Sequence, residues 1–162
     1  MSRDPVSGGP VSGANAAGRG FSLLSINVSS AVGVPKTPVD RAVLRENHGI
    51  EGDAHAGEWH RQVSLLADED IETMRGRGVD LPPGIFAENL TTRGIDLSRL
   101  PVGSRLRVGP ALLEVTQIGK ECHQGCAIRQ AVGDCVMPRR GVFARVLAGG
   151  EISRESRCRH DL

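Results

Sequence analysis

The sequence predicts a mainly β fold with a few short helices, on three observations. The 21 Gly and 9 Pro are spread through the body of a 162-residue chain, implying many turns between short strands rather than a helix bundle. Two neighbouring runs, around Ser104–Val108 and Leu113–Thr116, alternate apolar and polar residues with a period of two. The chain shows neither an internal repeat nor a coiled-coil heptad. Its length suits one domain of about 100–200 residues.

Residues 1–20, a Gly/Ser/Ala/Pro mixture without hydrophobic periodicity, are expected to form a flexible tail. The folded domain is placed at 21–150. Phe21 to Val28 is the first strand and leads into the turn at Gly33-Val34-Pro35. Ala42–Arg45 and Gln62–Leu66 are the next two. Asp68-Glu69-Asp70 places acids at the start of a short helix carrying Ile71 and Met74, with Gly76 and Gly78 to stop it. Ser104–Val108 and the run through Leu113 and Val115 flank a turn at Gly109-Pro110, which predicts an antiparallel hairpin. In Gly141–Leu147 the pairs Val142/Val146 and Phe143/Leu147 predict a second short helix ending at Gly149-Gly150. Residues 151–162 form a polar tail with no assured strand, and Cys158 within it is read as incidental.

Composition narrows the function. Lys plus Arg total 20 against 19 Asp plus Glu, so a nucleic-acid partner is not expected. Phe21, Phe86, Phe143 and Trp59 are the only aromatic residues, too few for a base-stacking platform. The longest apolar runs fall far short of the roughly 18 residues of a membrane span. An export signal is not apparent, which points to the cytoplasm and to reduced thiols.

Three constellations can carry chemistry. Cys122, His123, Cys126 and Cys135 cluster in a Gly-punctuated segment after the strand ending near Ile118. Lys120, His123 and Arg139 can lower a thiolate pKa there, suiting soft-metal binding or sulfur carriage; the alternatives are small buried hydrophobes, or a zinc site lacking two clean CxxC pairs. Gly52-Asp53-Ala54-His55, with His60 and Arg61, offers an acid and histidines for ligation or acid–base work, or else an Asp-capped turn with solvated rings. Pro138-Arg139-Arg140, expected at a helix start, suits a phosphate or carboxylate, or is a solvated pair. Glu88-Asn89-Leu90-Thr91-Thr92-Arg93 either lines the same mouth or forms an ordinary turn.

In order, KTPVDRA (36–42), GIEGDAHAGEWHRQVSLL (49–66), PGIFAENLTTRGIDL (83–97), PVGSRLRVG (101–109) and EVTQIGKECHQGCAI through GDCVMPRRGVFARVL (114–147) resemble the MOSC domain. The resemblance implies a strongly curved β-barrel related to the barrel domain of pyruvate kinase. It also implies a small stand-alone bacterial member handling molybdenum cofactor (molybdopterin) or sulfur, in reduction of N-hydroxylated compounds or in cofactor sulfuration. By position, Cys126 matches the cysteine that ligates molybdenum in amidoxime-reducing relatives, and a soft thiolate suits that metal. Cys126 is thus the implied metal ligand or persulfide carrier, with His123, Lys120, Asp53 and His55 as the reactive set beside it. Asn89, Thr91, Arg93, Arg139 and Arg140 are the implied cofactor-binding residues.

The chain departs from its relatives where a closing strand is expected after residue 150, and it lacks the N-terminal barrel of the reductase members. A partner redox or cofactor-biosynthesis protein is therefore expected; a carrier without turnover and a zinc-stabilised barrel are the other readings. Pyridoxal phosphate, associated with parts of the family, is not expected: its lysine would have to be Lys36 or Lys120, the only two present. The oligomeric state is left open.

Overall fold

The computed structural model describes residues 19–75, 80–121 and 135–161. The expected tail thus lies outside the described residues as far as residue 18. Eleven strands are present among the described residues: β1 Arg19–Val28, β2 Thr37–Val39, β3 Arg41–Arg45, β4 Gly49–Ile50, β5 Val63–Ala67, β6 Leu90–Arg93, β7 Arg105–Val108, β8 Ala111–Ile118, β9 Val142–Ala148, β10 Gly150–Ser153 and β11 Cys158–Asp161. Two short helices accompany them, α1 Asp68–Glu72 and α2 Met137–Arg140, with a 3-10 turn at Leu97–Arg99.

Seven strands close a barrel in the order β11-β7-β8-β9-β5-β6-β1, because β11 also pairs with β1. β2 extends β1 at an edge, and β10-β3-β4 form a separate small sheet. The predicted hairpin is present, with Leu106 opposite Leu113 and Val108 opposite Ala111 across the Gly109-Pro110 turn. Among the described residues, the one parallel contact of the barrel joins β5 to β6, with Leu65 opposite Leu90; α1 and the loop through Leu81 and Phe86 lie in the crossover that parallel strands require.

Two apolar clusters explain this arrangement. The barrel interior contains Leu23, Ile26, Leu65, Leu90, Leu106, Leu113, Val142 and Ile152. A second cluster, with Leu66, Ile71, Met74, Phe86, Met137 and Phe143, packs beneath α1 and α2. β5 is buried along its whole length because Val63, Leu65 and Ala67 fill the barrel while Leu66 joins the outer cluster.

The same two-sided burial corrects the expected helix over 141–147, which is strand β9. Val142, Ala144 and Val146 face the barrel and Phe143 faces the outer cluster. β-Branched Val142 and Val146 suit that pleated surface. The C-terminal segment is corrected too. It contributes β10 and the closing strand β11, in which Cys158 pairs with Val108 on one side and Phe21 on the other. Cys158 is a core residue, and burial pushes its thiol up to about 11.

Candidate functional site

The loop that follows β4 turns at Gly52 and Asp53, and Asp53 organises its surroundings. Asp53 Oδ1 accepts hydrogen bonds from Lys36 Nζ at 2.8 Å and from the Ser29 backbone N–H at 3.1 Å. Its Oδ2 accepts from the His55 backbone N–H at 3.0 Å. The side chains of Lys36 and Asp53 are both fully buried, so this is an ion pair withdrawn from water. Burial pushes the Asp53 carboxyl up, but the Lys36 hydrogen bond and charge, with the two backbone donors, outweigh it and hold the group below its ordinary value.

Lys36 Nζ also donates to Ser29 Oγ at 3.0 Å and stands 3.0 Å from His55 Nδ1. An ammonium has only protons to offer, so Nδ1 must accept, which assigns His55 as a neutral ring with its proton on Nε2. Burial is the largest influence lowering the His55 pKa, followed by the Lys36 charge; Asp53 opposes them, and Lys120 and Arg61 add to the lowering. His55 is thus acted on by three cationic side chains, Lys36, Lys120 and Arg61, and by one carboxylate, Asp53.

Backbone contacts fix these groups in place. The Lys36 N–H donates to Gly84 O at 2.8 Å. Gly84 has φ +89°, and a Cβ there would collide with the Lys36 carbonyl. Glu88 pins the same loop, accepting from Gly84 N at 2.9 Å, Phe86 N at 3.2 Å and Thr91 Oγ1 at 2.7 Å. At the end of β8, Gly119 has φ +71°, and its missing Cβ lets Lys120 N donate to Pro138 O at 3.1 Å. The loop bearing His60 is tied to β8 by a Thr116 hydroxyl bond to the His60 carbonyl and by His60 Nε2 to Gln117 Oε1 at 2.8 Å.

Of the residues singled out in the sequence, the fold brings together Asp53 and His55, with Lys120 in electrostatic reach of His55. Cys122, His123 and Cys126 lie outside the described residues. Asn89 and Thr91 are fully buried pins of the interior. Asn89 accepts from Ser64 N and donates to Asn27 O, both at 3.0 Å, while Thr91 accepts from Asn27 Nδ2 at 3.1 Å. Arg93 pairs with Asp68, and Arg140 with Asp70 at 2.8 Å and Asp96 at 3.1 Å. Arg139 is exposed. These two arginines lie in the four-residue α2, and the segment after them is strand β9 rather than the expected longer helix. Cys135 is buried.

Sequence reasoning passed over Lys36 and Ser29 as site residues, while Arg61 stood in the same constellation as Asp53 and His55. A signal was present for the first: in a chain with only two lysines, both act on His55.

A closed barrel whose rim carries a buried Lys–Asp pair beside a neutral histidine defines a β-barrel protein with a cationic rim site. Residues 51–158 match the MOSC domain, and the chain belongs to that family. MOSC domain proteins are associated with molybdenum cofactor binding or sulfur transfer. Among solved structures, the YuaD protein of Bacillus subtilis is similar with a TM-score of 0.73 at 18% identity, over 89% of this chain and 97% of that one. YiiM of Escherichia coli gives 0.65 at 20% identity, over 88% and 69%. YiiM of Geobacillus stearothermophilus gives 0.66 at 22%, over 86% and 74%. At these identities the likeness shows the shared fold. No curated protein matches the sequence. Among the described residues, no helix is long and apolar enough to cross a membrane.

Proposed function

We propose that this MOSC protein binds molybdenum cofactor, with the cationic rim holding its anionic part and Cys126 giving a thiolate to the metal. The observation that carries the reading is the Lys36–Asp53–His55 cluster with Lys120 and Arg61 in reach. Three cations against one carboxylate fit a phosphate-bearing ligand and would repel a cationic one.

Within this reading each side chain has a separate task. Lys36 is already committed to Asp53 and so acts as a fixed charge that holds His55 neutral. His55 Nε2–H is then a donor for an acceptor atom of the ligand. Lys120 sits where β8 ends, two residues before Cys122 and six before Cys126 in the chain, so the anionic group and the thiolate ligand would be recruited from adjoining segments. When bound, the cofactor supplies oxygen-atom and electron transfer at molybdenum, chemistry suited to reducing N-hydroxylated compounds with electrons from a partner redox protein.

The test is a transfer experiment. Incubated anaerobically with a cofactor-loaded donor protein, the purified chain should take up pterin and molybdenum; Lys120→Met should retain less of both, and Cys126→Ser should lose the metal-linked retention. Failure of the wild-type chain to acquire either would overturn the reading.

A further inference from the structure

Arg61 is held by aromatic rings rather than by a carboxylate. Arg45, Arg75, Arg93, Arg140 and Arg145 each pair with a carboxylate. Among the described residues, no carboxylate pairs with Arg61. Two rings hold it instead, with Cζ 4.8 Å from the Trp59 ring centroid and 5.4 Å from that of Phe143. Phe143 is only 4% exposed and anchored in β9, so it forms a fixed floor. Trp59 is fixed from the other side, its Nε1–H donating to His55 O at 2.8 Å. Contact with a ring does not consume the N–H donors of a guanidinium.

We infer that Arg61, held over the rings of Trp59 and Phe143, is a preorganised clamp for a tetrahedral oxyanion of the phosphate class, assisted by the Nε2–H of His55. The inference rests on the proposed function in assigning the anionic group of the ligand to a particular side chain. Three features support it. Stacking removes rotamer freedom before the ligand arrives, so less ordering cost remains for binding. That no described carboxylate pairs with Arg61 leaves the fork for an external anion, to which Arg binds in bidentate fashion. Trp59, which lies under Arg61, is hydrogen-bonded to the His55 backbone, so the guanidinium and the imidazole belong to one structural unit. The oxyanion has two sources, a phosphate monoester carried on an organic ligand or a free inorganic anion.

The clamp contains its own reporter. Trp59 is the only Trp in a chain without Tyr, so intrinsic fluorescence reads this site alone. The full-length protein is titrated with inorganic phosphate and, separately, with glycerol 3-phosphate, against sodium chloride at matched ionic strength. A saturable Trp59 response to at least one probe is expected, and none to chloride. Tighter binding of the ester assigns a ligand-borne phosphate; tighter binding of inorganic phosphate assigns a free oxyanion. Arg61→Met keeps an apolar stem between the rings and removes the fork, so affinity should fall about tenfold or more. Arg154→Met, at an exposed position between β10 and β11, should change nothing. Should Arg61→Met fail to fold, Arg61→Lys decides, because an ammonium lacks the bidentate fork and affinity should still drop. The absence of a saturable response in the wild type, or unchanged affinity in the Arg61 variant, overturns the clamp. Phosphate binding through Arg61 in a chain that never acquires pterin would leave the clamp standing and remove the cofactor reading; uptake of pterin unaffected by Arg61→Met would do the reverse.

Discussion

Lys36 Nζ lies 3.0 Å from His55 Nδ1 while its other contacts bind it to Asp53 and Ser29. A buried ammonium aimed at an imidazole nitrogen is compatible with one state of the ring, the neutral one. His55 should therefore stay neutral at pH values where an ordinary histidine, with a pKa of 6.5, is already half protonated. Unfolded chains would take up that proton near 6.5, before folded chains do. The contribution of His55 to stability is thus level above pH 6.5 and declines as pH falls from 6.5 toward the lowered folded value. Following the ring resonances of His55 by NMR should give a midpoint below 6.5, moving upward in Lys36→Met; a midpoint at or above 6.5 in the wild type would refute the assignment.

The Lys36–Asp53 pair is buried on both sides, so removing one partner strands the other charge away from water. Lys36→Met should cost about 3–5 kcal/mol in denaturant unfolding. Adding Asp53→Asn to that variant should recover part of the loss, since the stranded charge disappears, although the single amide oxygen can serve only one of the two backbone donors, Ser29 or His55. A double variant no more stable than Lys36→Met would show that burial of the charge is not the cause.

Glu88 acts as a staple rather than a catalytic acid. Its two oxygens take the N–H groups of Gly84 and Phe86 and the Thr91 hydroxyl; burial pushes its pKa up, and these donors pull against that. Glu88→Ala leaves two buried N–H groups without acceptors and should cost about 2–5 kcal/mol. Because the staple holds the loop at Gly84 against Lys36, the same variant should move the His55 midpoint, which is readable in the NMR titration.

The closing strand makes a separate prediction. Cys158, with its thiol pushed up to about 11, should resist alkylation at pH 8 in the folded protein and react once denaturant opens the barrel, as peptide mapping would show. Deleting residues 158–162 exposes the edges of β7 and β1 and should abolish cooperative unfolding. Rapid labelling of native Cys158 would contradict its place in the core.

How much of this was legible in the sequence depended on whether an element had one wet face. β7 and the paired start of β8 alternate cleanly, and their hairpin was readable from Gly109-Pro110. β9 was not, because it is buried on both faces and its apolar residues then mimic helical spacing. β11 reads Cys-Arg-His-Asp, and only closure of the barrel, a relation with strands more than 50 residues away, makes it a strand. At the site, Asp53 and His55 were visible as a local motif. Lys36 was not part of that motif, since its contact with Asp53 lies 17 residues away, and its being one of only two lysines was the sole mark on it. Asn89 and Thr91 stand in a polar run that suggests a surface, whereas in the fold both are buried, Asn89 bonded to Ser64 and Asn27 and Thr91 to Asn27 and Glu88.

The most direct measurement is the molybdenum and released-pterin content of wild-type protein and of Cys126→Ser, purified anaerobically from a host that makes the cofactor, with zinc measured in the same samples. The account predicts molybdenum and pterin near one equivalent in the wild type and their loss from Cys126→Ser. Absence of both from the wild type, or full retention of both by the variant, would contradict it.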